Sequence, residues 1–266
     1  MMENQMAELT RSLTLLVHGA PKSGKSTLAA SAPGPRLFLD IEQGAKFLNI
    51  KPIVWDPATQ SPPEPDGTWD TAIVSVRDYD AVLRSYQWLQ SGKHPFKSVI
   101  IDSISELQAK VLENVAGRQQ IQTQQWGEIL RHMAGMMRDL RDLTAHPTNP
   151  LTCIVLTCMS REIDGRMTPY LQGQAAVIAP YITDLTGYLA IEEFQHPDPS
   201  QPPYKARRMY IVATSHAMAG ERVGGRLGEI VEQGDLDMVT MIDKIFGTPT
   251  TATPPTATPT ATPDER

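Results

Sequence analysis

Residues 19–26 read Gly-Ala-Pro-Lys-Ser-Gly-Lys-Ser and fit G-x-x-x-x-G-K-[ST] at every fixed position. This octet constrains the fold more than any other part of the chain. Glycines at this spacing allow a tight loop whose backbone N–H groups turn inward around phosphate oxygens. The mechanism needs a strand before the loop and a helix after it. The apolar run Leu13–Val17 and the helix-forming stretch Lys25–Ala32 supply both. The expected phosphate cradle is Gly19, Ala20, Pro21, Lys22, Ser23, Gly24, Lys25, Ser26 and Thr27, closed by the positive end of the helix. Lys25 is placed to reach the β- and γ-phosphates, and the Ser26 hydroxyl to sit on Mg²⁺. ATP and Mg²⁺ are therefore the expected ligands.

Two carboxylate segments follow. Ser98-Val-Ile-Ile-Asp102 puts an aspartate at the end of a buried strand, where a P-loop protein holds the water shell of its metal. Asp102 also precedes a helix and could cap it. Phe38-Leu-Asp40-Ile-Glu42 ends the strand after the P-loop helix. A carboxylate there can face the γ-phosphate and hold an attacking water; a solvated loop carboxylate reads equally well. Glu42 is the better catalytic candidate and Asp40 a supporting one. His18 reads as a packed strand residue.

The rest of the pattern alternates strand and helix. Arg36–Asp40, Lys97–Asp102 and Leu151–Thr157 read as strands, and 78–90, 103–115 and 122–144 as helices, with Asp78 as a cap. Ile129, Met133, Met136, Met137 and Leu140 recur at helical spacing and read as a buried face. After Thr157 the pattern changes: Asp164-Gly165 is a two-residue hairpin signal, and Leu185–Phe194 and Arg208–Ala213 read as antiparallel strands. The expected fold is α/β, a mostly parallel sheet flanked by helices with antiparallel additions at one edge. Its boundaries are an N-terminal extension at 1–11, a single domain at 12–247 with a surface insertion about 56–70, and a disordered Thr/Ala/Pro tail at 248–266.

Composition limits the remaining classes. The net charge of −6 disfavours a DNA binder that works by global charge, so any such role needs a local patch or a groove built from several subunits. No apolar run is long enough for a membrane helix, and the N-terminus lacks a signal-peptide layout. The expectation is a cytoplasmic protein with no membrane partner. Cys153 and Cys158 fall on opposite faces of one strand and read as small buried hydrophobes.

Together VHGAPKSGKS, LFLDIEQG and SVIIDS resemble the RecA family of recombinases, and more closely the short phage-encoded RecA-type ATPases, often labelled AAA domains, of recombination and single-strand annealing. The resemblance spans roughly 12–245 and is specific at these three segments. It implies a RecA-like core, ATP hydrolysis with Glu42 as catalytic residue, single-stranded DNA binding, and a homo-oligomeric ring or filament. A single-strand-binding or replication protein would be a natural partner, and the host cytoplasm the location if the chain is phage-encoded. The family's glutamine after the fourth strand is missing; Cys158-Met-Ser-Arg161 stands there. The DNA loop would correspond to about 159–172, with Arg161, Arg166 and Tyr170 as contacts, or as decoration of an exposed hairpin. The family also implies a basic residue from a neighbouring subunit: Arg222 first, then Arg226, Arg207 and Arg208. A nucleotide-switched scaffold and a small-molecule phosphotransferase are the competing functions.

Overall fold

The computed structural model describes residues 11–117 and 119–247. The tail at 248–266, and the N-terminal extension apart from Arg11, lie outside the described residues.

Seven parallel strands form the centre of one sheet. In chain order they are β1 (Leu13–Gly19), β2 (Arg36–Asp40), β3 (Pro52–Val54), β4 (Thr71–Ser75), β5 (Ser98–Asp102), β6 (Cys153–Ile163) and β8 (Leu185–Phe194). Across the sheet they run β8-β1-β6-β5-β2-β4-β3. At the β8 edge, β9 (Tyr204–Tyr210), β10 (Gly220–Glu221) and β11 (Ile230–Glu232) add antiparallel. β7 (Arg166–Pro169) folds back on the distal half of β6. This is the expected α/β architecture, a mostly parallel sheet with an antiparallel edge.

Parallel strands covered on both faces read as continuous apolar runs, and the burial follows. All seven residues of β1 and all five of β5 are buried. One face carries Leu16, Leu37, Val99, Ile101 and Leu156 under α2 (Tyr79–Gln90), α3 (Ile104–Ala116), α4 (Thr123–Asp142) and α5 (Ala175–Ile182). The other carries Leu15, Val17, Phe38, Ile100 and Val155 under α1 (Lys25–Ala30) and α6 (Met238–Phe246). Cys153 and Cys158 fall into opposite clusters, as their spacing requires. Burial pushes both thiols up, Cys158 to about 11.

Caps set the helix starts. Asp78 accepts from the Ala81 N–H at 3.0 Å and Asp237 from the Thr240 N–H at 2.9 Å. Ser103, not Asp102, caps α3, accepting from the Glu106 N–H, and this leaves Asp102 free for other work. The methionine stripe of α4 is buried. Met137→Leu, which conserves volume, is expected to cost under about 1.5 kcal/mol in denaturant melts; a larger loss would show that the stripe needs methionine's adaptability.

The main differences from the sequence expectation have local causes. The helix after the loop stops at Ala30, where the Ser31 hydroxyl closes onto the Leu28 carbonyl at 2.6 Å ahead of Pro33. β3 and β4 flank the Pro/Asp-rich segment 56–70. Buried Trp55 and Trp69 anchor its ends against Phe96, at ring separations of 5.7 and 6.4 Å. The last long strand covers Tyr204–Tyr210, not 208–213. α5 and α6 are additional to the helices that the pattern predicts. Among the described residues no helix is long and apolar enough to cross a membrane.

Candidate nucleotide site

The carboxyl ends of β1, β2 and β5 bring three sequence segments together. Gly19 ends β1 against β8, and there a Cβ would lie 2.3 Å from the Leu189 carbonyl oxygen. Only glycine allows that approach. The loop then turns through Ser23, whose buried hydroxyl has no partner among the described residues, and Gly24 at φ 105°. Lys25 folds its ammonium back onto the carbonyls of Gly19 and Ala20, at 3.0 and 2.9 Å. Burial lowers its pKa, and the nearby carboxylates of Glu42 and Asp102 oppose that shift.

Asp102 is buried at the end of β5, where it receives the Thr157 hydroxyl from β6. Ser26 of the loop lies close enough to lower its carboxyl pKa, as Thr157 does. Burial raises its carboxyl pKa and outweighs the influence of both hydroxyls, and the neighbouring Glu42 and Asp40 raise it further. Glu42 is placed beside it by backbone bonds: the N–H groups of Ile41 and Glu42 donate to the Asp102 carbonyl at 3.0 and 3.2 Å. Its Oε1 accepts from the Ser103 hydroxyl at 2.5 Å. One residue therefore caps α3 and orients Glu42. Asp40 has a different task. Its two oxygens accept the N–H groups of Gly44 and Ala45, at 3.0 and 3.2 Å, and hold the turn that follows Glu42.

His18 is fully buried just before the loop. Nε2 lies 2.7 Å from the Met218 carbonyl, which can only accept, so Nε2 carries the proton and Nδ1 accepts from the Ser160 hydroxyl at 2.8 Å. Burial lowers its pKa to about 4, with a smaller push from Lys25. His18 is a neutral strut between β1, β6 and the loop at Met218.

The residues proposed for DNA sit together on the β6–β7 hairpin. Its turn has Asp164 and Gly165 at φ 51° and 76°, the pair of left-handed residues that a type I′ hairpin needs. The register pairs Arg161 with Thr168 and Ile163 with Arg166, so both arginines stand on one face. The Arg161 guanidinium lies 5.7 Å from the half-exposed Tyr170 ring. The Nε atoms of both arginines are buried without partners among the described residues.

Lys25, Ser26, Asp102 and Glu42 are thus brought together, and Arg222 is not. Its backbone N–H donates to the Asp184 carbonyl and its guanidinium to the Tyr181 carbonyl. Asp184 bonds Thr14 at the start of β1, the end of the sheet opposite the loop. Arg226 donates to the Ile245 carbonyl at 3.0 Å. Arg207 is the arginine that reaches the loop, donating to the Ser23 carbonyl at 3.0 Å. Sequence distance hid this contact, because register between β8 and β9 is what carries Arg207 there. Ser103, directly after the strand-end aspartate, bonds Glu42, and Thr157 bonds Asp102.

The residues present fit a nucleoside triphosphate with a divalent ion. The loop offers a buried hydroxyl unpaired among the described residues and a folded-back ammonium. A serine hydroxyl and one carboxylate suit Mg²⁺, which keeps several waters and leans on substrate phosphates. No cluster of three or more His, Cys, Asp or Glu side chains suited to a metal occurs among the described residues, and this mode of binding needs none.

A parallel sheet with this loop on its central strand, and two carboxylates on the neighbouring strand ends, defines a P-loop ATPase. The chain belongs to the AAA-domain family, which matches residues 11–223. No curated protein matches the sequence. Among solved structures it is similar to the flagellar accessory protein FlaH from Methanocaldococcus jannaschii, with 12% identity and a TM-score of 0.39 over 74% of this chain and 76% of that one.

Proposed function

We infer that the chain is a Mg²⁺-dependent ATPase that acts on single-stranded DNA in recombination, annealing or repair, of the kind phages encode. The observation that carries the ATPase half is the convergence of Lys25 and Ser26, Asp102, and Glu42 from three strands. Ser26 and Asp102 would hold Mg²⁺, which offsets phosphate charge when bound. Glu42, oriented by Ser103, would hold the attacking water in line with the γ-phosphate.

The DNA half is supported by the hairpin. Arg161 and Arg166 share a face, and Tyr170 lies beside Arg161 with its ring half-exposed. Cations that grip phosphates and an aromatic that stacks a base are the usual means of holding single strands. The hairpin continues β6, which also carries Thr157, the partner of Asp102. Nucleotide state and DNA contact therefore meet on one strand. With a net charge of −6, one hairpin is a small positive footprint. A ring or filament of identical subunits, in which several hairpins line one path, matches that charge best.

Steady-state ATPase measured with and without single-stranded DNA tests this, with Lys25→Ala as the control. The expected result is turnover that DNA stimulates, less so as salt rises, and that Lys25→Ala abolishes. Arg161→Ala with Arg166→Ala should remove the stimulation and leave basal turnover. Turnover indifferent to DNA at every salt concentration would defeat the DNA reading and favour a nucleotide-switched scaffold or a phosphotransferase.

A further inference from the structure

Two adjacent arginines on β9 are used in different ways. Arg208 is held by Glu232 at 2.8 Å and by Glu192 at 3.5 Å, with its guanidinium 4.3 Å from the Phe194 ring centre. Arg207 faces the opposite side of the strand and has no carboxylate partner among the described residues. Its backbone N–H is fixed by the Gln233 side-chain oxygen at 2.8 Å. Its Nε donates to the Ser23 carbonyl at 3.0 Å. The side chain lies so close to Gly24 that a Cβ there would sit 2.8 Å from Nε and 3.1 Å from Cδ.

The contact with Ser23 spends only Nε. The terminal nitrogens, Nη1 and Nη2, have no partner among the described residues, although a guanidinium carries five N–H donors in a planar fork. A bond to a carbonyl could be made by any neutral donor. A permanent charge without a counter-ion, pressed on a phosphate-binding turn, is matched chemically to an anion, and the fork suits phosphate oxygens two at a time. Ser23 beneath it contributes a second unspent polar group, its buried hydroxyl.

We propose that Arg207 is a nucleotide-contacting residue acting in its own subunit, its terminal guanidinium nitrogens gripping the polyphosphate held by Gly19–Ser26. This rests on that loop being the triphosphate site. It differs from an arginine supplied by a neighbour, because the strand that carries Arg207 belongs to the same sheet as the loop. Gly24 follows as a steric requirement: a side chain there would displace the arginine as well as strain the turn at φ 105°.

The test is equilibrium binding of ATP, ADP and adenosine to the full chain, its Arg207→Gln and Arg207→Lys variants, and Lys25→Ala, across a salt series. Arg207→Gln is expected to weaken ATP and ADP roughly tenfold or more, to leave adenosine unchanged, and to flatten the salt dependence. Arg207→Lys should restore part of the affinity. A purely structural brace on Ser23 would not change the salt dependence. Wild-type affinity and salt dependence in Arg207→Gln would overturn the proposal while the loop assignment stands. Failure of the unmodified chain to bind ATP would instead overturn the nucleotide reading itself. Mixing Lys25→Ala with Arg207→Gln chains at subsaturating ATP gives a third readout: turnover should not exceed the sum of the two variants assayed alone, and turnover above that sum would show that the arginine serves a neighbour.

Discussion

Glu42→Gln is expected to lower steady-state ATP turnover roughly 10²–10⁴-fold, the range for losing a positioned general base, with ATP binding preserved. The geometry separates the two effects. The phosphate cradle is made by Gly19–Ser26 and does not include Glu42. The Glu42 backbone is held by the Asp102 carbonyl, so the exchange does not move the loop. Glutamine keeps an oxygen for the Ser103 hydroxyl, which lies 2.5 Å from Oε1, so orientation survives and proton acceptance is lost. Asp40 cannot take over, because both its oxygens are committed to the N–H groups of Gly44 and Ala45. Ser103→Ala should act on turnover through Glu42, giving a smaller fall in kcat with little change in KM, and should also cost about 1 kcal/mol of stability through loss of the α3 cap. Unaltered turnover in Glu42→Gln would reassign the water-holding role. Loss of ATP binding in that variant would show that Glu42 is part of the cradle's support.

The parts of this site that were legible in the sequence are those whose chemistry demands neighbouring residues. The loop is a contiguous octet, and its glycines are required by close approach to Leu189 and by the turn itself. Asp102 and Glu42 each end an apolar run, and parallel strands bring such ends to one edge of a sheet. Arg207 and the His18–Ser160 contact were not legible, because they depend on strand order and register over long sequence separations. Element existence followed the same logic. Strands with three or four apolar residues in succession could be read. α6 carries a short signal of its own, Asp237 ahead of Met238, Met241, Ile242 and Ile245. α5 contains Pro180, which argues against a helix until tertiary packing overrides it. β4 is apolar enough to read as a strand, but the proline-rich segment before it hid its start.

A second large effect is expected at acid pH, and it isolates His18. Its folded pKa of about 4 lies below the ordinary value of 6.5, so protons bind the unfolded chain more tightly. The contribution of the neutral ring to stability is therefore complete above pH 6.5 and is lost as pH falls from 6.5 towards 4. At pH 4 the loss attributable to His18 is about 3 kcal/mol. Hydrogen bonding does not cause it, since a protonated ring could still donate to Ser160 and Met218. The cause is burial of the charge, to which Lys25 adds. His94, also lowered to about 4 by burial and by neighbouring His146, and the carboxylates contribute to the same acid slope. The comparison with His18→Gln removes these shared terms. That variant should be less stable at pH 7, because two hydrogen bonds between β1, β6 and the Met218 loop are altered. Its further loss between pH 7 and pH 4, read from denaturant melts, should be smaller than that of the unmodified chain by about 3 kcal/mol. Equal slopes in the two proteins, or a His18 ring that titrates near pH 6.5 by NMR, would show that the histidine is hydrated and is not the strut that joins the nucleotide loop to the hairpin strand.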